Sequence, residues 1–247
     1  MKTKDSLQRF AFDVRALLGA EVGGPIDLKT LVEAYGKLTI VYYPFADNIS
    51  GMCLKSADLI AINSRSTLGR QNFSLAHELY HYFDHQNEDN SVSVAQNSKV
   101  KGIVSELEAD LFASYLLMPS QSLHSDITER KEDRNKLELK DIIFIEQLYG
   151  VSRKSLLVRL VADGYLTVDE SKYFEKDIQR GALRLGYDLA LYKTCDKNIH
   201  STTGRYLSLA HKLRDASLIS QGRFESYLLD AFREDLVFDL EVNEVYD

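Results

Sequence analysis

Two histidines and a glutamate carry the chemistry that this sequence can offer. His77, Glu78 and His81 stand as His-Glu-x-x-His within Phe73-Ser-Leu-Ala-His-Glu-Leu-Tyr-His-Tyr-Phe83. Residues four apart lie one above the other on a helix, so both imidazoles can reach a single ion. Glu78 stands beside them, close enough to hold a water on that ion. Zinc accepts neutral imidazole nitrogen, and a catalytic zinc site uses three protein ligands with one open position. The third ligand therefore lies elsewhere in the chain. Apolar residues surround the motif almost completely, which predicts a buried helix. Unsatisfied polar groups buried there would cost several kcal/mol. A ligated metal removes that cost; core histidines that match the pattern by chance are the plain alternative.

A second stretch, Val104 to Pro119, reads as a helix that Pro119 helps to end. Glu106 and Asp110 are four apart on one face, and Glu108 points elsewhere. A carboxylate is the usual third ligand in the His-His-Glu class of zinc sites, which assigns Glu106 to the metal. Asp110, one turn on, is placed to accept the free ring N–H of a ligating histidine. A solvated acidic face is the competing reading of this helix.

The two motifs, Arg-x-x-Phe-Ser-Leu-Ala-His-Glu-Leu-x-His from Arg70 to His81 and Glu-x-Glu-Ala-Asp-x-Phe-Ala-x-x-Leu-Leu-Met-Pro from Glu106 to Pro119, resemble the ImmA/IrrE family of metallopeptidases. Weaker similarity runs from the N-terminus to about Leu166. The resemblance implies a zinc endopeptidase that cleaves helix-turn-helix repressors of the Xre type, typically encoded beside it in phage, mobile-element or stress-response operons. It implies His77, His81 and Glu106 as Zn2+ ligands and Glu78 as general base. The family carries Asn or Asp where this chain has Asp110.

The rest of the chain must position these groups. Its 45% hydrophobic and 27% charged residues are those of a soluble globular protein. No apolar run is long enough for a membrane span, and the first residues lack the apolar core of a signal peptide. Cys53 and Cys195 lie far apart, which suggests reduced thiols rather than a disulfide framework. A cytoplasmic location is expected.

Leu7, Phe10, Val14, Leu17 and Leu18 recur at helical spacing, ending near Gly19. Asp27 can cap a second helix that Gly36 closes. Extended segments follow at 38–43, 51–54 and 59–63, with Ser56-Ala57-Asp58 as a hairpin turn. They predict a small antiparallel sheet, whose edge could hold an extended substrate as an added strand. Cys53 on that sheet reads as a buried structural thiol; a thiolate on the metal is the less common alternative. His85 continues the four-residue ladder but lies about 12 Å from His77 along the axis, too far to share a tetrahedral site. Residues 86–98 read as a surface loop.

From Leu137 two helical segments meet at Gly150, with Ser152 as a cap, in a helix-turn-helix-like pair. Lys140, Arg153, Lys154 and Arg159 are balanced by Glu138, Asp141, Glu146 and Asp163, so no phosphate-binding charge surplus exists. Direct DNA binding is not expected, and the preferred reading is a packed helical pair, with the docking of a partner as an open alternative. The chain after Asp169 is predominantly helical. Its last segment sets seven acids against Arg233, which accounts for most of the formal charge of −7.

The expected fold is α+β: a mostly helical, zincin-like catalytic domain with a small antiparallel sheet, followed by a helical C-terminal region. The expected division is 1–122 for the peptidase, 123–166 for the helical pair and 167–247 for the remainder. The rival function is a toxin–antitoxin-type regulator that binds a partner through a site whose metal is structural. A zinc hydrolase of small amides or cell-wall peptides is a third reading, and the lack of a secretion signal weighs against its cell-wall form.

Overall fold

The computed structural model describes residues 2–21, 23–46, 48–84, 93–96 as backbone, 103–131, 134, 136–194 and 200–238. The chain opens with α1 (Lys4–Leu17), whose Leu7, Ala11 and Val14 are buried at four- and three-residue spacing. Thr3 caps it by accepting the Ser6 N–H, which satisfies one of the orphan donors of the first turn. Helix α2 (Leu28–Tyr35) is capped by Asp27 and closed by Gly36 at φ 69°. That left-handed conformation suits a residue with no Cβ.

Three strands follow, β1 (Thr39–Tyr43), β2 (Ile49–Leu54) and β3 (Leu59–Asn63). The β2–β3 hairpin turns through a short 3₁₀ segment that ends on Asp58 in the left-handed region. Two further strands, β4 (Ser93–Gln96) and β5 (Ser201–Gly204), complete the order β4-β2-β3-β1-β5.

The sheet is mixed rather than wholly antiparallel. Strands β1 and β3 run parallel, with Thr39 opposite Leu59 and Tyr43 opposite Asn63. The tight hairpin places β2 on the far side of β3 and leaves the near side open to β1 in parallel. Strand β4 lies within the stretch read from sequence as a loop. Strand β5 comes from the C-terminal region and pairs antiparallel with β1. Its Ser-Thr-Thr-Gly sequence has no apolar alternation to announce a strand.

The metal-motif helix α3 (Leu68–Phe83) lies on β2 and β3 and packs against α4 (Ile103–Leu117), which also packs on α1. Two buried arginines fix the end of α4. Arg15 Nη1 donates to the Leu116 carbonyl at 2.7 Å. Arg159 Nη1 donates to the Ser114 and Met118 carbonyls at 3.1 and 3.0 Å. The Leu116 and Met118 carbonyls lie at or just past the end of α4, where no N–H of the helix reaches them, and a cation there also suits the helix dipole.

Helices α5 (Ser120–Lys131), α6 (Leu139–Tyr149) and α7 (Arg153–Ala162) follow. Gly150 at φ 62° ends α6, and Ser152 caps α7. The buried Arg153 makes a two-pronged ion pair with Glu146 at 2.5 and 2.7 Å, joining α6 to α7. The turn between them abuts the start of α3: Asn72 Nδ2 donates to the Gly150 carbonyl at 2.8 Å. Gly69 is required there, since a Cβ would lie 2.9 Å from the Ser152 nitrogen.

The chain continues through α8 (Val168–Tyr173), α9 (Ile178–Arg184), α10 (Arg205–Asp215), α11 (Gln221–Asp230) and α12 (Asp235–Phe238). One large core unites the first two helices, the sheet and α3 to α7; Ala210, Phe224 and Leu228 form a small separate core in the C-terminal helices. Among the described residues no helix is long and apolar enough to cross a membrane.

Candidate metal centre

Helix α3 delivers both imidazoles to one face, as a four-residue spacing requires. His77 and Glu78 are buried, and the His81 ring is nearly so. Glu106 comes from the first turn of α4. His77 Nε2 lies 3.2 Å from Glu106 Oε2 and 3.3 Å from His81 Nε2, and His81 Nε2 lies 3.3 Å from Glu106 Oε1. A tetrahedral zinc with ligands at 2.0–2.1 Å has ligand atoms about 3.3–3.4 Å apart. The two Nε2 atoms thus stand at that separation, each with one oxygen of the Glu106 carboxylate at a similar distance, and this triangle of His77, His81 and Glu106 is a group able to hold a metal.

Asp110, one turn after Glu106, accepts from His77 Nδ1 at 2.9 Å. With the proton on Nδ1, the Nε2 lone pair faces into the triangle, where a cation would meet it.

The electrostatics favour positive charge at this point. Burial alone would lower the His77 pKa, but hydrogen bonds to Asp110 and Glu106 and the charges of Glu78 and Asp110 outweigh it, lifting the value to about 10. Burial alone would raise the Glu106 pKa, but its bonds to His77 and His81 hold it at about 2. A proton on His77 serves here as a metal cation would, by neutralising converging acceptors. The donor set and the electrostatics both fit a metal.

The chain belongs to the ImmA/IrrE metallopeptidase family. The family model described as the IrrE N-terminal-like domain, of the peptidase M78 class, matches residues 37–161, half of the chain. That span contains both motifs, the first four strands and α3 to α6, with nearly all of α7; it leaves α1 and α2 outside. No curated protein matches the chain.

In this family member Glu78 is wholly buried beside the triangle. Its side chain fits because residue 51 is glycine: a Cβ there would stand 3.0 Å from Glu78 Oε1 and 3.1 Å from its Cγ. The role of Gly51 is not evident from sequence alone, although a glycine inside a strand is the known signal for a close approach. Cys53, two residues on, is buried, and burial with the nearby Glu78 charge pushes its thiol up to about 12. That direction favours a protonated, structural thiol. His85 and Cys195 lie outside the described residues.

Glu108 does point away from the triangle. It accepts from the Tyr80 hydroxyl at 2.6 Å and the Lys2 backbone N–H at 2.5 Å. Burial would raise its pKa, but these bonds and the Lys2 charge bring it below the usual carboxylate range. Lys2 Nζ also reaches Asp84 at 2.9 Å. The N-terminal strap thus joins α3 to α4 behind the site and ties together the two helices that carry the triangle. Sequence reading had assigned Lys2 and Tyr80 no part in this.

Proposed function

We propose that this protein is a zinc-dependent, cytoplasmic endopeptidase acting on a helix-turn-helix repressor or antitoxin. The observation that carries the proposal is the burial of Glu78 against the His77–His81–Glu106 triangle, in a space kept open by Gly51. A metal site serving structure alone has no use for that carboxylate.

Two imidazole nitrogens and a carboxylate oxygen are a donor set suited to zinc. Zinc, when bound by His77, His81 and Glu106, supplies the Lewis acidity that lowers the pKa of water and polarises a scissile carbonyl. Asp110 holds the His77 ring in the orientation that turns Nε2 inward. Glu78 takes the proton of the attacking water and delivers it to the departing amine. Its burial strengthens that interaction by excluding competing water.

The division into a peptidase (1–122), a helical pair (123–166) and a C-terminal region (167–247) gives the second part to partner recognition. Two features of α7 support a protein partner over DNA. Arg153 and Arg159 are buried in pairs with Glu146 and Asp163, so they cannot serve phosphate. Val158 on the same helix is 62% exposed, an apolar surface suited to another protein.

The test is co-expression with the helix-turn-helix protein encoded beside it, followed by mass analysis of the fragments. Glu78→Gln should keep zinc and partner binding while cleavage falls by about 10²–10⁴-fold. Unchanged biological output from Glu78→Gln would replace the endopeptidase with a partner-binding regulator.

A further inference from the structure

Arg70 stands on the metal-facing side of α3, seven residues before His77 and eleven before His81. Those intervals are close to two and three whole helical turns, so the three side chains leave the helix in one line. Arg70 is exposed, and its Nη2 lies 3.1 Å from Ser50 Oγ on β2. Ser50 precedes Gly51, the residue that makes room for Glu78. The guanidinium therefore stands over the strand that backs the candidate general base.

We propose that Arg70 is a specificity-determining residue that receives a substrate carboxylate two to four residues from the bond cut, a proposal that rests on the endopeptidase reading above. Three considerations lead to it. Arg70 is the one lysine or arginine on α3, whereas Glu78, Glu106 and Asp110 at the metal end are acidic. With zinc bound, its two charges offset two of those three carboxylates, and Arg70 is the basic side chain that α3 offers to an acidic substrate residue. Arginine offers five N–H donors in a fixed fork, and the bond to Ser50 engages one nitrogen of it.

The third consideration is length. Seven residues of helix rise about 10.5 Å, and an extended peptide covers about 3.3–3.4 Å per residue. A peptide lying along α3 with its scissile bond at the triangle has its third residue level with the Arg70 backbone, and the long side chain, which reaches Ser50 on β2, widens that to two to four residues. A merely structural guanidinium, tying β2 to α3 through Ser50, predicts no preference for any substrate residue.

The experiment uses the zinc-loaded full chain on a library of proteome-derived peptides, with the cut sites read by mass spectrometry. Asp and Glu should be enriched two to four residues from the cut. In paired synthetic peptides, Asp or Glu at that position should raise kcat/KM about ten-fold over Asn or Gln, through KM, as expected of a hydrogen bond to a charged group. Arg70→Gln should erase the ratio with zinc content kept, and Ser50→Ala should preserve it. Wild-type cleavage without acidic enrichment, or a ratio unchanged in Arg70→Gln, would overturn the proposal. Zinc-loaded wild type that cuts no peptide is a different result: it removes the endopeptidase reading, and this proposal with it.

Discussion

Gly51 on β2 and Glu78 on α3 share one small space: a methyl group on residue 51 would lie 3.0 Å from the Glu78 carboxylate and 3.2 Å from the Ala61 carbonyl. The backbone carbonyl cannot retreat within a paired strand, so the carboxylate must move. Gly51→Ala should displace Glu78 while leaving the metal ligands in place. The shift required is a few tenths of an ångström, a fraction of the roughly 1 Å misplacement that costs on the order of 10²-fold. Cleavage of the partner should fall by up to about 10-fold, with zinc content unchanged by metal analysis. Wild-type turnover in Gly51→Ala would show that Glu78 needs no such fit.

The metal should bind at about one zinc per chain through three ligands. His77→Ala, His81→Ala and Glu106→Ala should each lose most of it on dialysis against a weak chelator. Zinc binding should also raise the Tm, since a ligand that binds only the folded state stabilises it by mass action. Full zinc content in Glu106→Ala would move the third ligand elsewhere. Glu108 is a poor substitute, as it is engaged by Tyr80 and Lys2.

Asp110 touches His77 rather than the donor triangle. Asp110→Ala should therefore weaken zinc binding without abolishing it, by about 10–100-fold as is usual for such partners. Competition against a chromogenic chelator measures this directly. An unaltered dissociation constant would reduce Asp110 to a solvated acid.

Removing one partner of the buried Arg153–Glu146 pair strands a charge in the core. Arg153→Met should destabilise the protein by about 3–5 kcal/mol, read by urea denaturation. Because Glu146 also accepts from the Tyr192 hydroxyl at 2.5 Å, the damage should reach the chain beyond α9. A loss under 1 kcal/mol would mean that water relieves the stranded carboxylate.

What the sequence determined by itself is what lies within one element. The spacing of His77 and His81 puts them on one face because the helical repeat is local. Asp27, Gly36, Gly150 and Ser152 stand at helix ends because caps answer to the nearest backbone groups. The ImmA/IrrE resemblance rests on two such local patterns.

Only the tertiary structure decided how elements meet. Glu106 arrives 3.2 Å from His77 because α4 is held by Arg15, Arg159 and the Lys2–Glu108–Tyr80 contacts, each across dozens of residues of chain. The parallel pairing of β1 with β3, the addition of β5, and the space that Gly51 leaves for Glu78 are likewise relations between distant segments. Periodicity fixes where a side chain points along its own helix or strand. The distance between two elements depends on packing and cross-chain hydrogen bonds, which no local pattern encodes.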